Sequence, residues 1–292
     1  MAGICRINFV DIIPTAGTLS ENMKTQPKPI LKPKYCEFCD RTGIIHNPHF
    51  EEMGENALVP CPKCVIKKCQ CNGEDPFYFN NDGRIEECFC RETRMKIMKI
   101  NMIYNRSGIN KKYQWKQLNH FKSLTKQADE AKNAAYDIVR QFPNIRKGLY
   151  LWGNAGTGKT LLASIILTEI IIRHAVEGRF ISISRNFFKT LQESFHEGSE
   201  TYGESGRIEK ELADVDILVI DDFGIQKDTE WKQETLYDLV DARYEAEKFT
   251  IFTSNNNPNR ALKDLSQGRI LSRIKEMCRI MEISGDDFRE KL

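Results

Sequence analysis

Five short apolar runs punctuate the second half of the 292-residue chain, at 149–152, 179–184, 215–220, 249–253 and 278–283. The third, apolar apart from Asp216, reads as a strand buried on both faces of a parallel sheet, and it runs into Asp221-Asp222. Between the runs the pattern is helical: a long apolar stretch at 161–172, further segments split by a Gly/Ser/Glu-rich loop at 197–206, and a helix at about 268–276. A helix at 128–142, stopped by Pro143, leads into the first run. Strands alternating with helices predict an α/β fold with a doubly wound parallel sheet.

The first half follows other rules. Residues 1–34 hold no sustained period and close on Pro27, Pro29 and Pro33 interleaved with Lys28, Lys32 and Lys34. Such a stretch resists helix and sheet and predicts an extended tether. Its apolar segment 4–13 reads either as a partner-binding peptide or as a loosely docked terminus. Residues 35–90 hold eight of the ten cysteines and predict a small metal-stabilised domain. Residues 91–120 are read as a basic linker, in which Met95, Ile97, Met98, Ile100, Met102 and Ile103 mix with Arg and Lys on one connecting helix. Residues 121–292 then form the catalytic domain.

Composition adds limits. The net charge of +2 is too small to argue nucleic-acid binding, but the first 120 residues carry an excess of Lys and Arg and the remainder a slight excess of acid. No secretory signal is visible, because the apolar run 7–13 is short and interrupted by Asp11. The stretch 161–172, with Ser164, Thr168 and Glu169, falls short of the ~20 residues of a membrane span. A cytoplasmic protein with reduced thiols is expected.

The chemistry concentrates in Gly153-Asn154-Ala155-Gly156-Thr157-Gly158-Lys159-Thr160, placed between the first run and the long helix. Strand, glycine-rich loop and helix N-terminus together make a phosphate-binding P-loop. Lys159 is assigned to the β- and γ-phosphates of ATP and the Thr160 hydroxyl to Mg²⁺. Asp221, about sixty residues on, is assigned to the same Mg²⁺, and Asp222 to the attacking water. Asn255, just past the fourth run, is a candidate contact to the γ-phosphate or that water.

The cysteines come in four pairs: Cys36/Cys39, Cys61/Cys64, Cys69/Cys71 and Cys88/Cys90. Two such pairs complete a structural tetrathiolate site, so eight thiolates predict two zinc ions. The pairs join either in sequence order, or with Cys61, Cys64, Cys69 and Cys71 as an inner site and Cys36/Cys39 closed onto Cys88/Cys90. His46 and His49 are secondary ligand candidates, and Cys278 reads as a small buried apolar residue.

P-loop, Asp221-Asp222, Thr253-Ser254-Asn255 and Leu271-Ser272-Arg273, in this order, resemble the AAA+ ATPases. More narrowly, residues 105–292 resemble the bacterial and phage replicative helicase loaders of the DnaC/DnaI type, within the IstB-like ATP-binding proteins. Asp221-Asp222-Phe223-Gly224 and the ending Asp287-Phe288-Arg289 carry that likeness. Cys36-Glu37-Phe38-Cys39-Asp40-Arg41-Thr42-Gly43 and Cys88-Phe89-Cys90-Arg91 resemble the zinc-binding, helicase-interacting domain of DnaI-like loaders, from which four intervening cysteines depart.

The resemblance implies a sheet of strand order 5-1-4-3-2 without a C-terminal lid, and an ATPase acting with a replicative helicase and single-stranded DNA. It also implies self-assembly on the helicase ring, with Arg273 reaching a neighbour's nucleotide; Arg269 is the competitor, and a helix-surface role or a pair with Glu276 the plainer alternative. Two other functions fit less of the chain: a transposition helper ATPase of the IstB type, and a zinc adaptor that binds ATP without turnover.

Overall fold

A computed structural model describes residues 36–39, 42–47, 57–183, 187–194, 203–224, 229–261, 268–285 and 287. The expected tether, His49, Asp286, Phe288 and Arg289 lie outside the described residues. Residues 36–292 cluster as one compact unit.

The centre is a five-stranded parallel sheet. Its strands are β5 (Gly148–Trp152), β6 (Gly178–Ser182), β7 (Ile217–Asp221), β8 (Phe249–Ser254) and β9 (Cys278–Glu282). Their spatial order is β6-β7-β8-β5-β9, which is 5-1-4-3-2 counted within the sheet, as the resemblance implied. Register is continuous across the middle, with Leu149 opposite Ile251 and Val219 opposite Ile251 on the other side.

Residues alternate between two cores, one on each face. Leu149, Leu151, Val219 and Ile251 face a layer built on α2 (Lys126–Gln141) and α3 (Lys159–His174). Tyr150, Leu218, Ile220 and Phe252 face the opposite layer. That layer is built on α4 (Phe188–Glu193), α5 (Ser205–Asp214), α6 (Glu230–Glu245) and α8 (Arg269–Met277), beyond the short α7 (Pro258–Ala261).

The direction of travel explains the split. From β5 the chain crosses to the far edge at β6, then returns through β7 to β8 and passes over β5 to β9. Right-handed crossovers put helices of opposite travel on opposite faces. The connections leaving β5 and β8 therefore part to opposite faces between two neighbouring strands, which is where such sheets open a crevice at their C-terminal ends.

The helix inside the segment read as a linker is α1 (Arg91–Arg106), and it is part of the core. Ile97, Ile100, Ile103 and Tyr104 are buried in the same cluster as α2 and α3. The Tyr104 hydroxyl lies 3.4 Å from Thr168 Oγ1 on α3, and its ring stacks on Trp115 with centroids 3.7 Å apart. The Phe180 amide donates to the Ser107 carbonyl at 2.6 Å, fastening the end of α1 to edge strand β6.

Ahead of α1 stand two small antiparallel hairpins: β1 (Ile44–His46) with β2 (Leu58–Pro60), and β3 (Tyr78–Asn81) with β4 (Arg84–Glu87). Ile44 and Leu58 join the α1 core, while the cysteines form a cluster of their own with Val65 and Phe77. No described helix is long and apolar enough to cross a membrane.

Candidate functional site

The crevice predicted by the topology holds the P-loop. Gly153, Gly156 and Gly158 have φ of 147°, 76° and 92°, and the loop enters α3 with Gly158 as its left-handed N-cap. Gly153 is also required by space, since backbone stands against it, whereas Gly156 faces a movable side chain. A Cβ on Gly153 would sit 2.2 Å from the Ile283 carbonyl oxygen, and one on Gly156 would sit 1.8 Å from Asp287 Oδ1. The segment after β9 thus lies against the loop, held by the Ile283 amide donating to the Trp152 carbonyl at 2.7 Å and by Thr125 Oγ1 donating to the Ser284 carbonyl at 3.0 Å.

Lys159 is 6% exposed. Its ammonium donates to the carbonyls of Gly153 at 2.9 Å and Asn154 at 2.6 Å, so a buried cation is satisfied within the loop. Thr157 Oγ1 donates to the Asn154 carbonyl, tightening the same turn. Loop amides, the α3 N-terminus and Lys159 converge as an anion site fit for a nucleotide phosphate chain.

Asp221, 1% exposed at the tip of β7, accepts from Thr160 Oγ1 at 2.8 Å and from Thr253 Oγ1 at 2.6 Å, both on Oδ1. β8 stands between β5 and β7, so Asp221 is met from two sides, directly by Thr160 at the start of α3 and by Thr253 from the neighbouring strand tip. The Asp222 amide donates to Thr253 Oγ1 at 3.1 Å, and Asp222 itself is left-handed at φ 58°. That backbone turn, costly for a residue other than glycine, aims consecutive carboxylates in different directions. Thr160 and Asp221 are the oxygen donors that would hold Mg²⁺ beside the phosphates.

Asn255 is the first residue past β8 and is exposed. Thr253, two residues earlier, is the one that reaches Asp221; sequence reasoning named it only within the Thr253-Ser254-Asn255 motif and assigned it no role of its own. The strand carries three buried hydroxyls, on Thr250, Thr253 and Ser254, and nothing in the sequence singles out the one that meets the carboxylate.

Arg273 lies on α8 against α6 of its own chain. Its Nε donates to Asp241 Oδ1 at 2.7 Å and its guanidinium lies 4.4 Å from the Tyr244 ring centroid. Arg269 sits one turn earlier, 4.2 Å from the ring centroid of Tyr237. Arg273 is thus held by an acidic and an aromatic side chain of α6, and Arg269 lies over an aromatic one.

The cysteines form two tetrads, Cys36/Cys39/Cys61/Cys64 and Cys69/Cys71/Cys88/Cys90, each with all four sulfurs within 4.8 Å of one another. Of the two pairings open in the sequence, this is the one in chain order. The recorded Sγ–Sγ distances run from 3.5 Å (Cys39–Cys64, Cys71–Cys90) to 3.8 Å (Cys36–Cys61, Cys69–Cys88). A tetrahedral ion with metal–sulfur bonds of about 2.3 Å needs sulfurs about 3.8 Å apart, so both tetrads fit one metal ion each. His46 belongs to neither tetrad.

Parallel sheet order, P-loop and the Thr160–Asp221–Thr253 chain define a P-loop nucleotide-binding protein of the AAA+ class. The chain belongs to the family of IstB-like ATP-binding proteins, whose model matches residues 86–292. It is 26% identical over 214 residues to the replicative helicase loader DnaC of Escherichia coli K12, covering 72% of this chain and 83% of that one. A crystal structure of the DnaC helicase loader superposes with a TM-score of 0.50 at 26% identity, covering 60% of this chain and 99% of that one. The crystal structure of DnaI, with a TM-score of 0.52 at 22% identity over 61% of this chain and 95% of that one, shares the fold.

Proposed function

We propose that the protein is an ATP-driven loader that places a replicative DNA helicase on single-stranded DNA in the cytoplasm. The observation that carries the reading is the Thr160–Asp221–Thr253 chain, in a family whose similar members include replicative helicase loaders. It ties the Mg²⁺ donors to the tip of the central strand, so a change at the γ-phosphate can be passed to the sheet. Lys159 binds the β- and γ-phosphates, Thr160 and Asp221 hold Mg²⁺, Asp222 accepts the proton of the attacking water and Asn255 orients it. Mg²⁺ supplies charge neutralisation to the phosphates when bound.

Two zinc ions fold the 35–90 module, which docks on the helicase. Loaders then assemble side by side on the helicase ring, and Arg273 leaves Asp241 to reach a neighbour's γ-phosphate. Positive charge supplied there in trans can be worth ~10³–10⁵ in rate.

The test is a mixture of the purified protein with the organism's replicative helicase, resolved by size in the presence of ATP. A co-migrating complex that delivers helicase to a single-stranded circle is the expected outcome, and delivery stops with Lys159→Ala. Absence of any complex, with ATP bound normally, overturns the loader reading. Within the complex, Arg273→Ala binds ATP but hydrolyses it slowly, and mixing it with Asp222→Asn restores part of the rate.

A further inference from the structure

Both cysteine tetrads present the same surface device. Inside the Cys36/Cys39 pair stands Phe38, 39% exposed, with the Lys63 ammonium from the facing Cys61/Cys64 pair 4.6 Å from its ring centroid. Inside the Cys88/Cys90 pair stands Phe89, 54% exposed, with the ammonium of Lys68, the residue before Cys69, 4.4 Å from its ring centroid. Phenylalanine is among the residues most often fully buried, so two exposed ones in equivalent places call for a reason. Packing does not supply one, because neither belongs to a buried cluster.

We infer that these two knuckle tips are a binding surface for single-stranded nucleic acid, each phenylalanine stacking a base and each lysine meeting the adjoining phosphate. Aromatic platforms beside cations are how proteins hold single strands without reading sequence, since every base has a π-face. A tetrathiolate site fixes the backbone on both sides of each ring, so the platforms are preorganised. A single 3-10 turn, Ile66–Lys68, runs between the Cys61/Cys64 pair of one tetrad and the Cys69/Cys71 pair of the other.

Charge favours a polyanion at the tips: Lys63, Lys67 and Lys68 fall within six positions there and outnumber the adjoining acids Glu37 and Glu87, whereas Glu74, Asp75, Asp82 and Glu86 are gathered in and beside the β3–β4 hairpin. A polyanion is drawn to the first group and repelled by the second. The hairpin, with Ile85 78% exposed, is left for a protein partner. The inference rests on the reading that the protein works on single strands, but it assigns that contact to a part of the chain outside the ATPase.

The experiment is fluorescence anisotropy of a labelled oligothymidine with the full-length, zinc-loaded protein, without nucleotide or helicase. Phe38→Ala and Phe89→Ala each weaken binding roughly 10-fold, and the pair ~100-fold, while Phe→Trp at either place preserves it. Lys63→Gln and Lys68→Gln each flatten the salt dependence of log K by about 0.7. Zinc content by elemental analysis stays at the parental value in every variant used. Ile85→Ser leaves strand affinity unchanged. Parental affinity in the double Phe variant overturns the inference, as does the absence of measurable strand binding by the parental protein. The assay contains neither helicase nor ATP, so its failure leaves the loader reading standing.

Discussion

Arg243 is fully buried, and its guanidinium donates to five acceptors: Thr250 Oγ1 and the carbonyls of Leu212, Ala213, Val215 and Phe249. Three of those carbonyls end α5, whose last turn has no intrahelical donors left, and a cation there also meets the negative end of the helix dipole. Burial pulls the guanidinium down to about 9, offset by Asp216 and Asp214, so it stays charged at neutral pH. Arg243→Met keeps the bulk but leaves these buried acceptors unpaired. A loss of about 3 kcal/mol or more in urea unfolding is expected; a loss below 1 kcal/mol would mean that water replaces the guanidinium.

His46 gives a pH dependence of definite sign. Burial, with the charges of His120 and Arg173 adding to it, pulls the imidazole from 6.5 down to about 4. Below pH 6.5 the unfolded chain takes up a proton here that the folded chain refuses until about pH 4, so stability falls as the pH drops through that window. His46→Gln removes the dependence, so the difference between parent and variant in unfolding midpoint narrows from pH 7.5 to pH 4.5. A constant difference would show that His46 titrates alike in both states.

At the scale of elements, the active centre is a meeting of three strand tips. Thr253→Val preserves shape on β8 but removes the hydroxyl that donates to Asp221 and accepts from the Asp222 amide. Nucleotide affinity is expected to hold, because the P-loop is untouched, while kcat for ATP falls about 10-fold or more as both carboxylates lose their orientation. Steady-state hydrolysis with a separate nucleotide titration distinguishes the two effects, and equal loss of both would move Thr253 into nucleotide binding.

Which of these elements could be read in advance follows from their physics. The sheet strands were legible because burial on both faces leaves an apolar run, and the P-loop because glycine spacing and a following helix are local facts. The hairpins β1–β4 were not: strands of three or four residues carry too few alternations to show a period. The cysteine pairing was not, because both pairings satisfy the same spacing. The surroundings of Arg273 were hidden for a third reason, since Asp241 and Tyr244 are about thirty residues away in sequence. In α1, Ile97, Ile100 and Ile103 mark the buried face, but Met95, Met98 and Met102 on the exposed side blur its period.

At the scale of the whole molecule, the cysteine module and the P-loop helix share one core through α1. Ile44 and Leu58 of the cysteine module share a core with α1 and α3, and α3 begins at Lys159. Stripping the metal should therefore cost stability beyond residue 90. A strong chelator is expected to lower the melting temperature of the whole protein by several degrees and reduce ATP affinity. Two separate calorimetric transitions, with the upper one unmoved, would show that the module unfolds by itself. Cutting the chain at residue 90 would bare the apolar face that Ile44 and Leu58 cover, so point substitutions are the cleaner way to probe docking.

The insertion of β8 between β5 and β7 also sets a timetable for the newborn chain. Leaving the ribosome, the P-loop appears first and Asp221 some sixty residues later, yet the strand that lets them meet is made only by residue 254. A nascent chain arrested with 224 residues exposed carries both nucleotide motifs and should retain no ATP. Arrest with 287 exposed, after β9 and the segment against Gly153 and Gly156 have been made, should capture it. On this timetable the growing chain stays mute to nucleotide until β8 and β9 have both been made.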